Sequence, residues 1–191
     1  MKNILSVAAI VISGHISSQV IMGDAIGTAP AGQKVSVLLE FATGQNKGII
    51  LPYVRTMPTG TGLAEGTIVL DATNQAAARV KYYNGVTTGG ATGWVDLSFG
   101  HDANISSSMT LQPNALAVTE DPAAKVIIGA DVSTADGVLV LESLTKAMIL
   151  PIVSDTNNIP DPAPGLMVFI NKAGAKRLAV YNGGGWTYWK P

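Results

Sequence analysis

The chain has no cysteine and little charge. Without cysteine it can form no disulfide framework, no thiolate zinc site and no lipid anchor on an amino-terminal cysteine. Its 191 residues include only 12 Lys and Arg and 13 Asp and Glu, for a formal net charge of -1. This balance leaves no basic surface for nucleic acid and no acidic tail. Stability must therefore come from packing and backbone pairing.

Long hydrophobic runs are also scarce. Residues 4–12 are apolar, follow Lys2 and lead into small residues, but they are fewer than the roughly 20 residues that span a bilayer. We interpret residues 1–18 as a secretory signal peptide, with a buried first strand or helix as the alternative. The expected product is secreted or exposed at the cell surface, without membrane insertion. Of the two histidines, it would keep only His101.

The chain contains an internal duplication. The run Lys-Gly-Ile-Ile-Leu-Pro-Tyr-Val at residues 47–54 returns 99 residues later as Lys-Ala-Met-Ile-Leu-Pro-Ile-Val. Each copy continues into an apolar run after a glycine, a Tyr-Asn-Gly sequence and a tryptophan, Trp94 or Trp186. The repeated residues are apolar strand and turn residues, so they define an architecture and no reaction.

Short runs rich in Val, Ile, Leu and Tyr alternate with Gly and Pro, which predicts an all-β fold with little helix. We expect two homologous antiparallel β repeats, at residues 19–99 and 125–191, that form one sandwich-like domain or lie as separate beads. The predicted strands are 34–41, 48–54, 67–71, 79–83, 94–97, 125–129, 138–142, 148–153, 166–170, 177–181 and 186–189. The helical candidates are 74–79 and a turn at 122–124.

Three kinds of local signal mark strand ends and connections. Asn-Gly at 84–85 and at 182–183 favours a hairpin turn in each repeat. Leu-Pro at 51–52 and at 150–151 places a proline inside a strand-like run, which indicates an edge or a strand end. Residues 100–124 are polar and small, and the sequence leaves open whether they form a linker or a packed segment with further strands.

These motifs resemble a family of secreted repeat modules of Bacteroidota-type bacteria, found in surface proteins, adhesins and tail-fibre-like stalks. The family pattern is Gly-Ile-Gly-Thr, Leu-Glu, Lys-Gly-x-x-Leu-Pro, Tyr-Asn-Gly and Trp. The first repeat carries it from Gly23 onward, with Asp24-Ala25 interrupting the glycine motif, and the second repeat follows it more closely to the ending Trp-Thr-Tyr-Trp-Lys-Pro. The resemblance covers nearly all of the chain after residue 18 and implies a surface-exposed structural protein.

Three groups of polar residues could carry chemistry, and a structural interpretation is favoured for each. His101 and Asp102 with Ser106 could serve a hydrolase, but no nucleophile elbow accompanies them, so we expect exposed loop residues. Oxygen ligands for calcium could come from Asp155, Asn157, Asn158 and Asp161, although the spacing matches no EF-hand and fits turns before proline.

Glu40 and Glu142 are equivalent in the two repeats, so a structural bond, such as an ion pair to Lys47 or Lys146, is favoured over a glycosidase pair.

The aromatic end is the candidate interaction site. Strand alternation places Trp186 and Tyr188 on one face and Trp189 on the other. We expect Trp186 and Trp94 to fill the core of their own repeats and Trp189 to be the more exposed residue.

We therefore predict a non-enzymatic, secreted structural or adhesive surface protein that binds no cofactor, metal or nucleic acid. It would self-assemble or dock on other protein subunits of an extracellular fibre or surface machine. The alternative is a carbohydrate-binding module that uses Trp189, Tyr188 and Trp186 to bind glycans.

Overall fold

The computed structural model describes residues 19–24, 26–113, 118–119, 121 and 123–190; the predicted signal peptide lies outside them. The described part is all-β, as predicted. Its only α-helix is Ser106–Met109, and short 3-10 helices occur at Ala31–Ser36, Thr88–Gly90 and Thr156–Asn158. The strands, in chain order, are β1 Val20–Met22, β2 Val37–Phe41, β3 Ile49–Ile50, β4 Tyr53–Val54, β5 Ile68–Asp71, β6 Arg79–Tyr83, β7 Trp94–Asp96, β8 Val126–Ile128, β9 Leu139–Leu141, β10 Ala147–Met148, β11 Ile152–Val153, β12 Leu166–Ile170, β13 Arg177–Tyr181 and β14 Trp186–Trp189.

Each repeat contains an antiparallel meander of three strands. The first meander is β5, β6 and β7, and the second is β12, β13 and β14. The register matches in both, because Tyr83 lies opposite Trp94 as Tyr181 lies opposite Trp186. In the second meander the Asn-Gly hairpin is confirmed. Gly183 has a φ of 108°, and the Asn182 side chain accepts the amide hydrogens of the two glycines that follow, 184 and 185.

The Leu-Pro sequences end strands as predicted. In the first repeat β3 ends before Leu51-Pro52 and β4 begins after it, and β10 and β11 divide in the same way around Leu150-Pro151. The strand after each proline pairs in parallel with its own meander, β4 with β5 and β11 with β12. These parallel pairs differ from the antiparallel repeats that the sequence predicts. At each proline the chain leaves one sheet and continues in the same direction into another, from β3 to β4 and from β10 to β11.

The two repeats exchange strands. β3 of the first repeat pairs antiparallel with β12 of the second, and β10 of the second repeat pairs in parallel with β2 of the first. Two further parallel pairs complete the sheets, β1 with β2 and β8 with β9. The repeats are therefore interlocked through backbone hydrogen bonds.

A shared core lies between the repeats. It combines residues from the inner faces of both meanders, among them Leu70 and Val80 from the first and Met167 and Val180 from the second. Full burial of such a side chain contributes about 1.5–3 kcal/mol. A second cluster, which we call the outer core, covers the opposite face of the second meander and contains Val153, Ile159, Val168, Ile170 and Ala179 with Leu166.

The first part of the connection is packed. Ala103, Ile105 and Met109 are buried in the shared core, and Ala103 forms an isolated bridge with Ala78. The side-chain amide of Asn182 donates to the carbonyl of His101 at 2.7 Å. Residues 101–109 are therefore a structural part of the fold, whereas residues 114–117 of the connection lie outside the described residues.

Two local predictions are wrong. Residues 31–36 of the first repeat form a 3-10 helix, so the predicted strand 34–41 begins only at Val37. Residues 74–77 form a turn where a helix was predicted over 74–79, because the Asn74 side chain accepts the amide of Ala76 and the Asn74 carbonyl accepts that of Ala77. The asparagine side chain thus competes with helical bonding, as is usual for this residue.

Candidate functional site

Trp189 faces the shared core. Its indole nitrogen donates to the carbonyl of Leu97 at 2.9 Å, and its ring stacks on Phe99 with centroids 4.3 Å apart. Trp189 is thus half-buried and packed against the core, which corrects the expectation that it is the exposed aromatic residue. The missing signal was Phe99, whose ring the sequence gives no reason to place beside the last strand.

Trp186 and Tyr188 lie on the opposite face of β14, as the alternation predicts. Trp186 packs against Tyr181 and the outer core, with the two ring centroids 5.3 Å apart. Tyr188 is 39% exposed, but its hydroxyl lies 3.0 Å from the hydroxyl of Thr156 and the guanidinium of Arg177 lies 4.9 Å from its ring centre. Any ligand role for the three aromatic residues therefore centres on Tyr188 and stays a prediction.

His101 and Asp102 both make contacts that stabilise the fold. The His101 side chain is exposed while its backbone bonds Ser98 and Asn182. The Asp102 carboxylate binds Arg79 at 2.7 Å. That hydrogen bond, with the charges of Asp102 and Asp96, raises the pKa of the Arg79 guanidinium. The acid of the proposed group is thus engaged with an arginine.

The calcium candidates form a capped turn. The Asp155 carboxylate accepts the amide of Asn157 at 3.0 Å and lies 3.5 Å from the Lys172 ammonium group. The hydrogen bond from the Asn157 amide is the largest cause of the lowered pKa of Asp155. Asn158 donates its side-chain amide to the Ser154 hydroxyl. Within the described residues, no group of three or more His, Asp or Glu side chains is placed to hold a metal.

Glu40 and Glu142 accept hydrogen bonds from the segments that precede β2 and β9. Glu40 is fully buried and accepts the amide of Ala29 at 2.6 Å, with further contacts to Gln19 and Lys34. Glu142 accepts the hydroxyl of Ser133. The structural interpretation is confirmed, but the partners are not the predicted Lys47 and Lys146.

Sequence reasoning missed the junction between the repeats. The Leu51 amide donates to the carbonyl of Gly165 at 3.0 Å and the Ile149 amide donates to that of Leu39 at 2.8 Å. Tyr53 donates its hydroxyl to the Pro164 carbonyl at 2.6 Å, and burial raises the pKa of that hydroxyl. The duplicated Lys-x-x-x-Leu-Pro runs supply these strands, but a duplication alone does not show that the copies exchange them.

The second repeat is similar to a known protein family. Residues 127–191 match the family described as phage tail like trimerisation region. The match begins inside β8 and covers the whole second meander, about a third of the chain. No curated protein and no solved structure matches the chain. The phage tail like trimerisation region is a structural, oligomerising module, so the comparison supports the tail-fibre-like part of the resemblance at a coarse level.

Among the helices in the described part of the chain, none has the length and apolar character of a membrane span.

Proposed function

We propose that this protein is a secreted, non-enzymatic structural subunit that self-associates as part of an extracellular, tail-fibre-like or adhesive assembly. The observation that carries the proposal is the likeness of residues 127–191 to a phage tail like trimerisation region. The strand exchange supports it, because each repeat already uses its sheet edges to bind a second copy of the same module.

The bonding of the polar candidates also supports a structural role. Asp102, Asp155 and Glu40 each hold the backbone or a neighbouring cation in place. Residues that stabilise turns and strand ends are what a passive assembly module requires.

The test is the mass of the exported protein. The coding sequence for residues 1–191 would be expressed in a secreting host, and the purified product would be measured by multi-angle light scattering. We expect three chains per particle and an amino terminus that starts after residue 18. Electron microscopy of the same sample would show compact particles or fibres.

A monomer at micromolar concentration would contradict self-association. Retention of the protein inside the cell with residues 1–18 attached would contradict secretion. The two results are independent, so one half of the proposal can fail while the other stands.

A further inference from the structure

We propose that the junction that joins the two repeats within the chain also forms between chains, so that the second repeat of one copy docks on the first repeat of the next. The inference rests on the proposed self-association and names its interface. The partner is a second copy of this chain, and the contact is made by strand pairing.

The internal junction consists of two strand pairs. The first repeat supplies β3 to β12, and the second repeat supplies β10 to β2. Each of these strands has a counterpart in the other repeat: β5 corresponds to β12, β9 to β2 and β10 to β3. Among the described residues, neither β5 nor β9 has the partner that its counterpart has.

The open edge of β9 carries backbone amide and carbonyl groups that can pair with another strand. Val126 donates to the carbonyl of Val138, and Glu142 donates to that of Ile128. Even-numbered residues therefore face β8, and the backbone groups of Leu139 and Leu141 point the other way. In β2 the equivalent carbonyl, that of Leu39, accepts the Ile149 amide from β10.

Burial shows the consequence of the open side. Val37 and Leu139 occupy equivalent positions in β2 and β9, yet Val37 is 3% exposed and Leu139 is 45% exposed. In the part of the chain that the structure describes, β2 has a neighbouring strand on each side, whereas β9 has one. An apolar side chain at this position is therefore buried in the first repeat and exposed in the second.

The first half of β5 is the second open edge. Leu70 and Ala72 donate to the carbonyls of Pro52 and Val54, so Ile68 faces the same side, before the point where β4 begins. Its counterpart Met167 is paired with β3 and is only 2% exposed.

The glycines before these strands differ in the same direction. Gly165 is buried and accepts the amide of Leu51. Gly66 is exposed, and the space above it is empty to 4 Å. The edge of β5 is therefore open at the position where β3 covers β12, which leaves room for β10 of a second copy.

One edge of β3 pairs with β12, and among the described residues its other edge pairs with no strand. The amides of Phe169 and Asn171 face β11, so Met167 shares that side and bonds Ile49, while the backbone groups of Ile50 point away. Ile50 is 56% exposed. Because its counterpart Ile149 donates to Leu39, Ile50 of a second copy can donate to the carbonyl of Leu141.

The two open pairs belong to one contact. β9 and β10 lie in the second repeat, and the edges that they would meet, β3 and β5, lie in the first repeat. The contact joins different surfaces and so is head-to-tail, which closes into a ring or continues as a filament according to its rotation. A ring of three chains would agree with the proposed trimer.

One residue makes the new contact looser than the internal one. A Cβ at Gly48 would lie 2.7 Å from Val168 and 2.8 Å from the carbonyl of Met167, and Ala147 carries that Cβ at the equivalent position of β10. Facing β5, Ala147 must sit a few tenths of an ångström farther out. Ala147→Gly should therefore strengthen association and lower the dissociation constant.

The experiment blocks one end of the junction at a time. Leu139→Lys places a charge on the second repeat's open edge, and Ile50→Lys places one on the first repeat's strand. Both side chains are exposed in a single copy, so each variant should fold, which thermal unfolding would confirm. Each should weaken association by at least about tenfold. The control is Val86→Lys, which changes an equally exposed valine in the first hairpin and should assemble like wild type.

Mixing the blocked variants is the decisive measurement. Ile50→Lys keeps an intact second repeat, and Leu139→Lys keeps an intact first repeat. A head-to-tail contact predicts that each alone is monomeric and that the mixture forms particles of two chains. The proposal is overturned if the mixture stays monomeric or if both variants retain the wild-type mass.

The result separates this inference from the proposed function. Wild-type assembly that survives both substitutions removes the junction and leaves self-association in place. A monomeric wild-type protein removes both.

Discussion

The outer faces of the two meanders occupy equivalent positions but differ in chemistry. In the first, Asp71 and Lys81 form an ion pair of 2.7 Å, and Arg79 binds Asp96 at 3.2 Å. In the second, Ile170 and Ala179 stand at the positions of Asp71 and Lys81. One register thus supports either a face built on ion pairs or an apolar face that must be covered.

The cover comes from the loop between β11 and β12. Ile159 of this loop is buried in the outer core, whereas Gly60 stands at the equivalent position of the first repeat and has open space where a Cβ would lie. A duplicated module can therefore change a charged sheet face into a second core by changing one loop together with the face. Exchanging residues between the two faces tests this view.

The largest effect is expected for Ile170→Asp, which copies Asp71 into the second meander. The carboxylate would enter the outer core, where Ala179 stands at the position of Lys81 and Arg177, directly opposite on β13, can offset only part of its desolvation. Unfolding free energy should therefore fall by about 3–4 kcal/mol. The reciprocal Asp71→Ile leaves Lys81 able to reach water and should cost about 1 kcal/mol. Urea unfolding measures both, and equal losses would show that the faces are interchangeable.

Trp186→Ala should destabilise more than Trp94→Ala. Each tryptophan packs on a tyrosine with ring centroids 5.3 Å apart, so the aromatic pair contributes equally. Only Trp186 also packs on the outer core. We expect a loss of about 3 kcal/mol for Trp186→Ala and about half of that for Trp94→Ala. Thermal unfolding of the two single variants decides, and a larger loss at Trp94 would contradict the comparison.

Thr187→Val sharpens the comparison on the inner face, where Val95 is the equivalent residue. The buried Thr187 hydroxyl donates to the carbonyl of Leu97 at 2.8 Å, and Trp189 donates to the same oxygen. Because that oxygen keeps one donor, the variant should lose about 1 kcal/mol. Val95→Ile serves as a control that changes no hydrogen bond. A loss above about 3 kcal/mol would show that Trp189 does not compensate.

The smallest effect is the pH dependence that Asp71 gives to the first meander. Burial raises the pKa of Asp71, but hydrogen bonds from Lys81 and Thr73 outweigh it and leave the pKa below its ordinary value. Its stabilisation is thus present above about pH 4 and is lost as pH falls through the folded-state pKa. Unfolding of wild type and Asp71→Asn from pH 7 to pH 3 should converge. A constant difference would mean that Asp71 does not titrate in this range.

The sequence predicts much of the fold because the decisive signals are local. Asn-Gly, Leu-Pro and the Val-rich runs act through the backbone of the residues that carry them, and the strands that they predict are present. The pairing of β3 with β12 depends on which edge stays open after each meander forms, which no local pattern records. The predicted exposure of Trp189 was wrong for the same reason, since its burial depends on Phe99, which lies in the turn after β7.

The strand exchange also constrains the order of folding. β2 receives β10, and β3 finds its place on β12, only after more than a hundred further residues have been synthesised. Such distant pairing raises contact order and slows folding. The first repeat therefore waits with unpaired edges while the rest of the chain emerges, which is when aggregation threatens. A chain that stays unfolded until both repeats have been synthesised would form both pairs at once.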